Sequence, residues 1–313
     1  MTEATKGVAA MIGACTIWGL SALYYKLLAH VPPLEVLSHR TLWSLVFFAA
    51  VLALQGRLHM VARLAASRAA LPVAFAAVMI STNWFLFIFS IQVERATEAS
   101  LGYYIFPLVA VLLGMIAFGE TLGRGRALAV ALAATAVVVL AAGLGAAPWI
   151  SLALAFTFGF YGLMKKRVAA GPVVSVTTEV LILAPLALIW LAGVHMAGWG
   201  GLTGRTLGIY GSDMGTSLLL MLSGPLTATP LILFSYATRR VAMATVGLVQ
   251  YLNPTLQFLV AVLVFAEPFT TWHAIAFPLI WTALAIYSGD NLRQERAARR
   301  RAASAAVSAT GSA

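Results

Sequence analysis

Charge is scarce in this 313-residue chain: 10% of its residues are Asp, Glu, Lys or Arg, 61% are hydrophobic, and the mean hydropathy is +0.93. Soluble domains carry about 25% charged residues, so the deficit excludes an ordinary water-soluble globule and makes lipid the solvent of the apolar surface. Cysteine is scarcer still. Cys15 stands alone, which excludes an intramolecular disulfide, and no Cys/His cluster has metal-ligand spacing, so neither metal nor other cofactor is expected. No G-x-x-x-x-G-K-[ST] loop exists to support ATP hydrolysis. The string Gly19-Leu20-Ser21-Ala22 is superficially like an intramembrane protease serine motif, but no deep histidine offers a base, so an enzyme is not expected. Acidic residues are few as well: 10 against 20 Lys and Arg leave a net charge of +10. In a soluble chain that would suggest nucleic acid; in a membrane chain it asks which side of the bilayer holds the arginines.

Long hydrophobic runs are what the chain has in abundance. A bilayer core needs roughly 20 predominantly apolar residues per helix. Charges, prolines and glycines divide the sequence into ten such segments: Gly7 to Leu28, Pro33 to Leu54, Leu71 to Gln92, Thr97 to Gly119, Ala127 to Gly143, Ala147 to Met164, Val173 to Met196, Met214 to Thr238, Val241 to Ala266 and Phe269 to Gly289. Strand-like alternation is absent, so the expected fold is an all-α integral membrane bundle. With a cytoplasmic N-terminus, all of the 20 basic residues except Lys26, Arg40, Arg95 and Arg205 fall in cytoplasmic loops or the tail. That bias predicts ten spans with both termini inside, and the surplus charge then reports orientation and contact with anionic lipid rather than a nucleic-acid partner. Residues 291–313, Arg-rich and then Ala/Ser-rich, read as a disordered basic cytoplasmic tail.

The chain also repeats itself. At an offset of 147 residues, Leu101 to Glu120 lies over Leu248 to Glu267, with identities at Leu101/Leu248, Tyr104/Tyr251, Pro107/Pro254, Leu112/Leu259, Phe118/Phe265 and Glu120/Glu267. A weaker match at offset 140 pairs Gly19 with Gly159 and Lys26 with Lys166. The halves are expected at residues 1–143 and 144–290. Five spans in each put the second half upside down relative to the first, the inverted-repeat plan of secondary transporters, whose substrate site lies near the midplane between halves. A duplicated but non-transporting scaffold or sensor is the alternative.

Polar residues inside such a bundle should face its interior or have a partner. Glu35, His39 and Trp43 share one face of the second span, with Arg40 beside them, a candidate gate or coupling site near the outer mouth. Glu179 lies deep in the seventh span opposite His39 in the repeat, which suggests a charge pair between halves; Glu98 could pair with Lys26. Gln250, Asn253 and Gln257 form an amide stripe in the ninth span, and their repeat partners Tyr103, Phe106 and Ala110 make an aromatic counterpart. Pro107 and Pro254 free the carbonyls of Tyr103 and Gln250 in those stripes, which suggests symmetric hinges. Asn83, Phe87 and Ser90 align in the third span, and Trp18, Ser21 and Tyr25 in the first.

Several stretches together resemble a known family: Trp18-Gly19-Leu20, AHVPPLEVLSHRTLWS from Ala29 to Ser44, NWFLF from Asn83 to Phe87, EASLGYYIFPLVAVLLG from Glu98 to Gly114, GPLTAT from Gly224 to Thr229, and TVGLVQYLNPTLQFLVAVLVFAEPF from Thr245 to Phe269. They are similar to the drug/metabolite transporter superfamily with paired EamA domains, and within it the RarD subfamily. The resemblance implies ten spans, an inverted repeat and a bacterial inner membrane. RarD-like proteins are labelled chloramphenicol-sensitive or drug-related transporters, and relatives export amino acids or amphiphilic cations. Matching positions carry a candidate site of His39, Arg40, Asn83, Trp84, Glu98, Tyr103, Glu179, Gln250 and Asn253; Phe106 departs from the amide common in the subfamily. The expected function is alternating-access transport of a small amphiphilic or amino-acid-like solute. Trp18, Trp84 and Tyr103 would supply aromatic walls, Asn83, Gln250 and Asn253 amides, and Arg40 and Glu179 charge. If a proton is coupled, Glu35, His39, Glu98 and Glu179 are the available carriers, and a facilitator without coupling fits the sequence equally; Pro107 and Pro254 are the hinges. The sequence leaves oligomeric state open.

Overall fold

The computed structural model describes residues 2–118, 123–145, 147–199, 208–241 and 243–310. Its helices are α1 (Glu3–Leu27), α2 (Pro33–Leu54), α3 (His59–Ala65), α4 (Ala70–Gln92), α5 (Ala96–Phe118), α6 (Arg124–Leu144), α7 (Trp149–Lys165), α8 (Pro172–Met196), α9 (Met214–Thr238), α10 (Met243–Gln250), α11 (Leu252–Leu259) and α12 (Thr271–Thr310), with a π-helical turn at Val260–Val264. An isolated bridge between Tyr210 and Asp213 is the extended pairing seen among the described residues. Local chemistry sets several boundaries. Pro33 and Pro172 begin α2 and α8, where a missing N–H costs nothing. Asp213 caps α9 by accepting the Thr216 N–H at 2.6 Å, a bond that holds its carboxyl below the usual carboxylate range. Gly145, at φ +66°, ends α6 in the left-handed conformation that lacks a Cβ penalty.

Among the described residues, eight helical stretches are long and apolar enough to cross a bilayer, and α7 is a shorter apolar helix. Leu54, Leu71, Ile116, Leu186 and Met196 are exposed on the outside of the bundle, an arrangement suited to lipid and not to water. The protein is thus an all-α, multi-pass membrane protein.

Three features depart from the expected segments. A short helix, α3, occupies the loop after the second. The ninth segment is broken: α10 stops at Gln250 and α11 starts at Leu252. Residues 291–310, expected to be disordered, continue α12 as helix, consistent with the high helix propensity of Ala and Arg. Glu120, residues 200–207 of the Gly-rich linker, and Arg205 with them, lie outside the described residues.

Side-chain bridges join helix ends at two faces of the bundle. At the face where α1 begins, Glu3 meets Arg240 at 2.9 Å and Arg126 meets Asp290 at 3.4 Å. At the opposite face Lys26 meets Glu94 at 3.3 Å. These are the first and second faces below.

Packing is reciprocal between halves. The first helix of each half is set against the later helices of the other: α1 against α9 and α11, α7 against α4 and α5. Helix α2 packs on α8 and α9, and α6 on α12. Glycine permits the closest crossings. A Cβ on Gly19 would come within 2.6 Å of Leu256 Cβ and 3.0 Å of the Asn253 carbonyl, and one on Gly159 within 2.9 Å of Leu113. These two glycines are the pair matched in the sequence repeat. Two large apolar clusters, one around Tyr25, Leu86 and Val260 and one around Tyr104, Ala136 and Phe277, each draw residues from both halves.

Candidate functional site

Between the halves lies a chamber of about 610 Å³, within the range of ligand pockets. Trp18, Ser21 and Tyr25 of α1, Arg40 of α2, and Asn83, Trp84 and Phe87 of α4 line one side. Tyr103, Phe106, Pro107 and Ala110 of α5 and Phe158, Tyr161 and Lys165 of α7 form an aromatic wall. Gln250, Asn253, Pro254 and Gln257 of α10 and α11 also line the chamber, with Val176 of α8, Leu226 and Phe234 of α9 and Tyr287 of α12. The two stripes related by the repeat therefore face the same space, one aromatic and one bearing amides.

The aromatic wall is fixed by a buried amide. Asn83, 1% exposed, donates from Nδ2 to the Leu154 carbonyl (3.0 Å) and to Thr157 Oγ1 (3.1 Å), while Tyr103 donates its hydroxyl to Asn83 Oδ1 (2.8 Å). Both amide protons are thus engaged by protein, and Asn83 acts as the support that holds the Tyr103 ring against Phe87 and Phe158. Opposite, Gln257 Nε2 donates to Asn253 Oδ1 at 3.1 Å. The Gln250 amide and Asn253 Nδ2 make no side-chain hydrogen bond to another described residue and face the chamber. The break between α10 and α11 falls here because Pro254 has no N–H to return to the Gln250 carbonyl. Pro107, its repeat partner, stays inside an unbroken α5. The hinges expected to be symmetric are therefore unequal.

Arg40 is 7% exposed, and its guanidinium carbon lies 4.2 Å from the Trp84 ring centre and 5.6 Å from that of Tyr25. Such cation–π contacts contribute about 0.5–2 kcal/mol each. They leave the N–H groups without acceptors: Nε is buried and unpartnered, and no carboxylate lies within ion-pair range of Arg40 among the described residues.

Glu179 departs from expectation. It is 1% exposed and does not line the chamber. Its Oε1 accepts from Lys165 Nζ at 2.7 Å and from Ser175 Oγ at 2.9 Å, so its partner is in its own half, and it forms no pair with His39. Lys165 does line the chamber and, like Phe158 and Tyr161, is not singled out by the sequence pattern. It stands first in a Lys-Lys-Arg run and reads as an ordinary loop charge, although the last turn of α7 aims it inward.

The remaining polar residues close the second face. The Glu35 carboxylate accepts the backbone N–H groups of Gly208 (3.1 Å), Ile209 (2.9 Å) and Tyr210 (3.3 Å). His39 stacks on the Tyr210 ring at 4.5 Å. Glu98 pairs with Arg95 at 3.4 Å, not with Lys26, which takes Glu94 instead. Glu267, conspicuous in the sequence only as half of a repeated pair, caps α5 across the halves: its oxygens accept Ala96 N–H (2.6 Å), Thr97 N–H (2.7 Å) and the Thr97 hydroxyl (2.7 Å). Tyr24 donates to the Leu219 carbonyl at 2.6 Å, and Gln92 to that of Val31 at 2.9 Å. Thus Glu35, His39 and Glu98 belong to a closed layer and not to the chamber wall. Toward the first face the lining runs to helix ends, with Lys165 the last residue of α7 and Pro172 the first of α8.

A membrane bundle of two reciprocally packed halves around a mixed aromatic and amide chamber has the architecture of a membrane transporter. The EamA-like transporter family model matches residues 5–142. An uncharacterized transporter of Vibrio cholerae is 39% identical over 95% of this chain and 97% of its own, and protein RarD of Salmonella typhimurium is 38% identical over 94% and 98%. The chain belongs to the EamA-type drug/metabolite transporters, in the RarD subfamily. One solved crystal structure, 18% identical, covers 90% of this chain and 96% of its own with a TM-score of 0.58, a likeness of fold.

Proposed function

We propose that this protein is a secondary transporter of small amphiphilic or amino-acid-like solutes in the bacterial inner membrane, with ten spans and both termini cytoplasmic. The observation that carries the reading is the chamber itself, shared by both halves, running to helix ends at the first face and stopped by a polar layer at the second. Basic residues gather at the first face, which supports its assignment to the cytoplasm. The chain is then in an inward-facing state, and alternating access would open the Glu35 and Glu267 layer while closing the Lys165 end. Trp18, Trp84 and Tyr103 receive the apolar part of the solute, Gln250 and Asn253 hydrogen-bond its polar part, and Asn83 holds the wall. Glu179 acts through Lys165, and Glu98 and His39 contribute to closure. A chloramphenicol-related phenotype would follow if such drugs enter the chamber.

The test is counterflow in proteoliposomes, with labelled amino acids, amines and chloramphenicol, with and without a pH gradient. Exchange of at least one labelled solute is expected; a purified, folded protein that exchanges none of them would favour a non-transporting scaffold.

A further inference from the structure

We infer that the chamber requires a carboxylate on its solute, and that Arg40 takes it while the solute's apolar or aromatic body lies against Trp84, Tyr25 and Tyr103. This rests on the transport reading but goes beyond it in naming the charged group that the substrate must carry. Among the described residues lining the chamber there are two cations, Arg40 and Lys165, and no Asp or Glu. Lys165 is neutralised from behind by Glu179. The other carboxylate on the helix of Arg40, Glu35, is engaged by three backbone N–H groups of the loop before α9. Arg40 is therefore the uncompensated charge at the chamber wall.

A guanidinium held against two rings keeps its position without a counter-ion, because the ring faces stabilise the cation; Nε is buried, and the edge formed by the two terminal nitrogens is the one a solute in the chamber can meet. That edge suits the two oxygens of a carboxylate, which accept parallel hydrogen bonds. The low-dielectric surroundings strengthen both attraction to an anion and repulsion of a cation. An amine entering the same chamber would meet Arg40 with no acidic residue on the wall to offset it. A neutral solute would bring no charge to balance the guanidinium.

Binding to the purified protein tests this independently of flux. Thermal shift and quenching of tryptophan fluorescence, to which Trp84 beside Arg40 contributes, would be measured with 3-phenylpropionate, phenylalanine, phenethylamine and chloramphenicol. The carboxylates should bind, phenethylamine should not, and Arg40→Gln should weaken carboxylate binding at least about tenfold, with Arg40→Lys retaining part of it. The two carboxylates separate a simple anion from a zwitterion, since phenylalanine adds only the ammonium. The inference is overturned if phenethylamine or chloramphenicol binds wild type as well as the carboxylates do, if neither carboxylate binds, or if a folded Arg40→Gln protein binds carboxylates unchanged. Carboxylate binding without exchange in liposomes would instead uphold the anion site and sink the transport reading.

Discussion

Lys165 and Glu179 illustrate how a buried charge is held in this bundle. Glu179 is almost fully buried and takes its partners from the neighbouring helix and from Ser175, one turn away on its own. Removing the lysine alone strands that carboxylate, and breaking a buried pair from one side costs about 3–5 kcal/mol. Lys165→Met is accordingly expected to lower the melting temperature sharply, and adding Glu179→Leu to restore most of the loss. The double-mutant cycle on detergent-purified protein checks it, and additive effects of the two substitutions would contradict the pairing. The same residues mark what was legible beforehand. Gln250, Asn253 and Tyr103 could be placed on the chamber wall from helical spacing and the repeat, because three amides on one stripe cannot face lipid. Lys165 could not, since side-chain direction at a helix end is not written in a basic cluster. The partners of Glu35 were equally hidden: a backbone N–H leaves no trace in residue identity.

At the level of the element, the broken ninth segment is the clearest result. Its repeat partner carries proline at the same position, and α5 nevertheless continues through Pro107. Two copies of one pattern thus have different backbones, and only the copy beside Gln250 presents a break at membrane depth, where freed carbonyls are tolerated because they border a cavity. Sequence periodicity located the proline pair but gives no means of deciding which copy yields. Pro254→Ala would return an N–H to the Gln250 carbonyl and favour a continuous helix, removing a disruption worth up to about 3 kcal/mol. The variant is expected to melt higher and to exchange solute more slowly, whereas Pro107→Ala should change exchange less. Counterflow rates and melting curves for both variants make the comparison, and equal rates would remove the special role of the break.

For the molecule as a whole, the second face is closed by carboxylates working in opposite directions: Glu35 of the first half holds a segment of the second, and Glu267 of the second holds the start of α5 in the first. Hydrogen bonds to charged groups contribute about 1.5–3 kcal/mol each, so the pair contributes substantially to closure. In a Cys15→Ser, Phe87→Cys background, combining Glu35→Gln with Glu267→Gln should raise labelling by an impermeant maleimide added outside intact cells roughly tenfold. An unchanged rate would mean that the layer is not the outer barrier.

The reciprocal seating of α1 and α7 also has a consequence for how the chain is made. The partners of α1, helices α9 and α11, are translated only after most of the protein has emerged. At about 5–20 residues per second, the close face around Gly19 waits on the order of ten seconds or more in the bilayer before its receiving surface exists. The half synthesised first therefore cannot finish folding by itself, and assembly is committed late, when the last third of the chain leaves the ribosome.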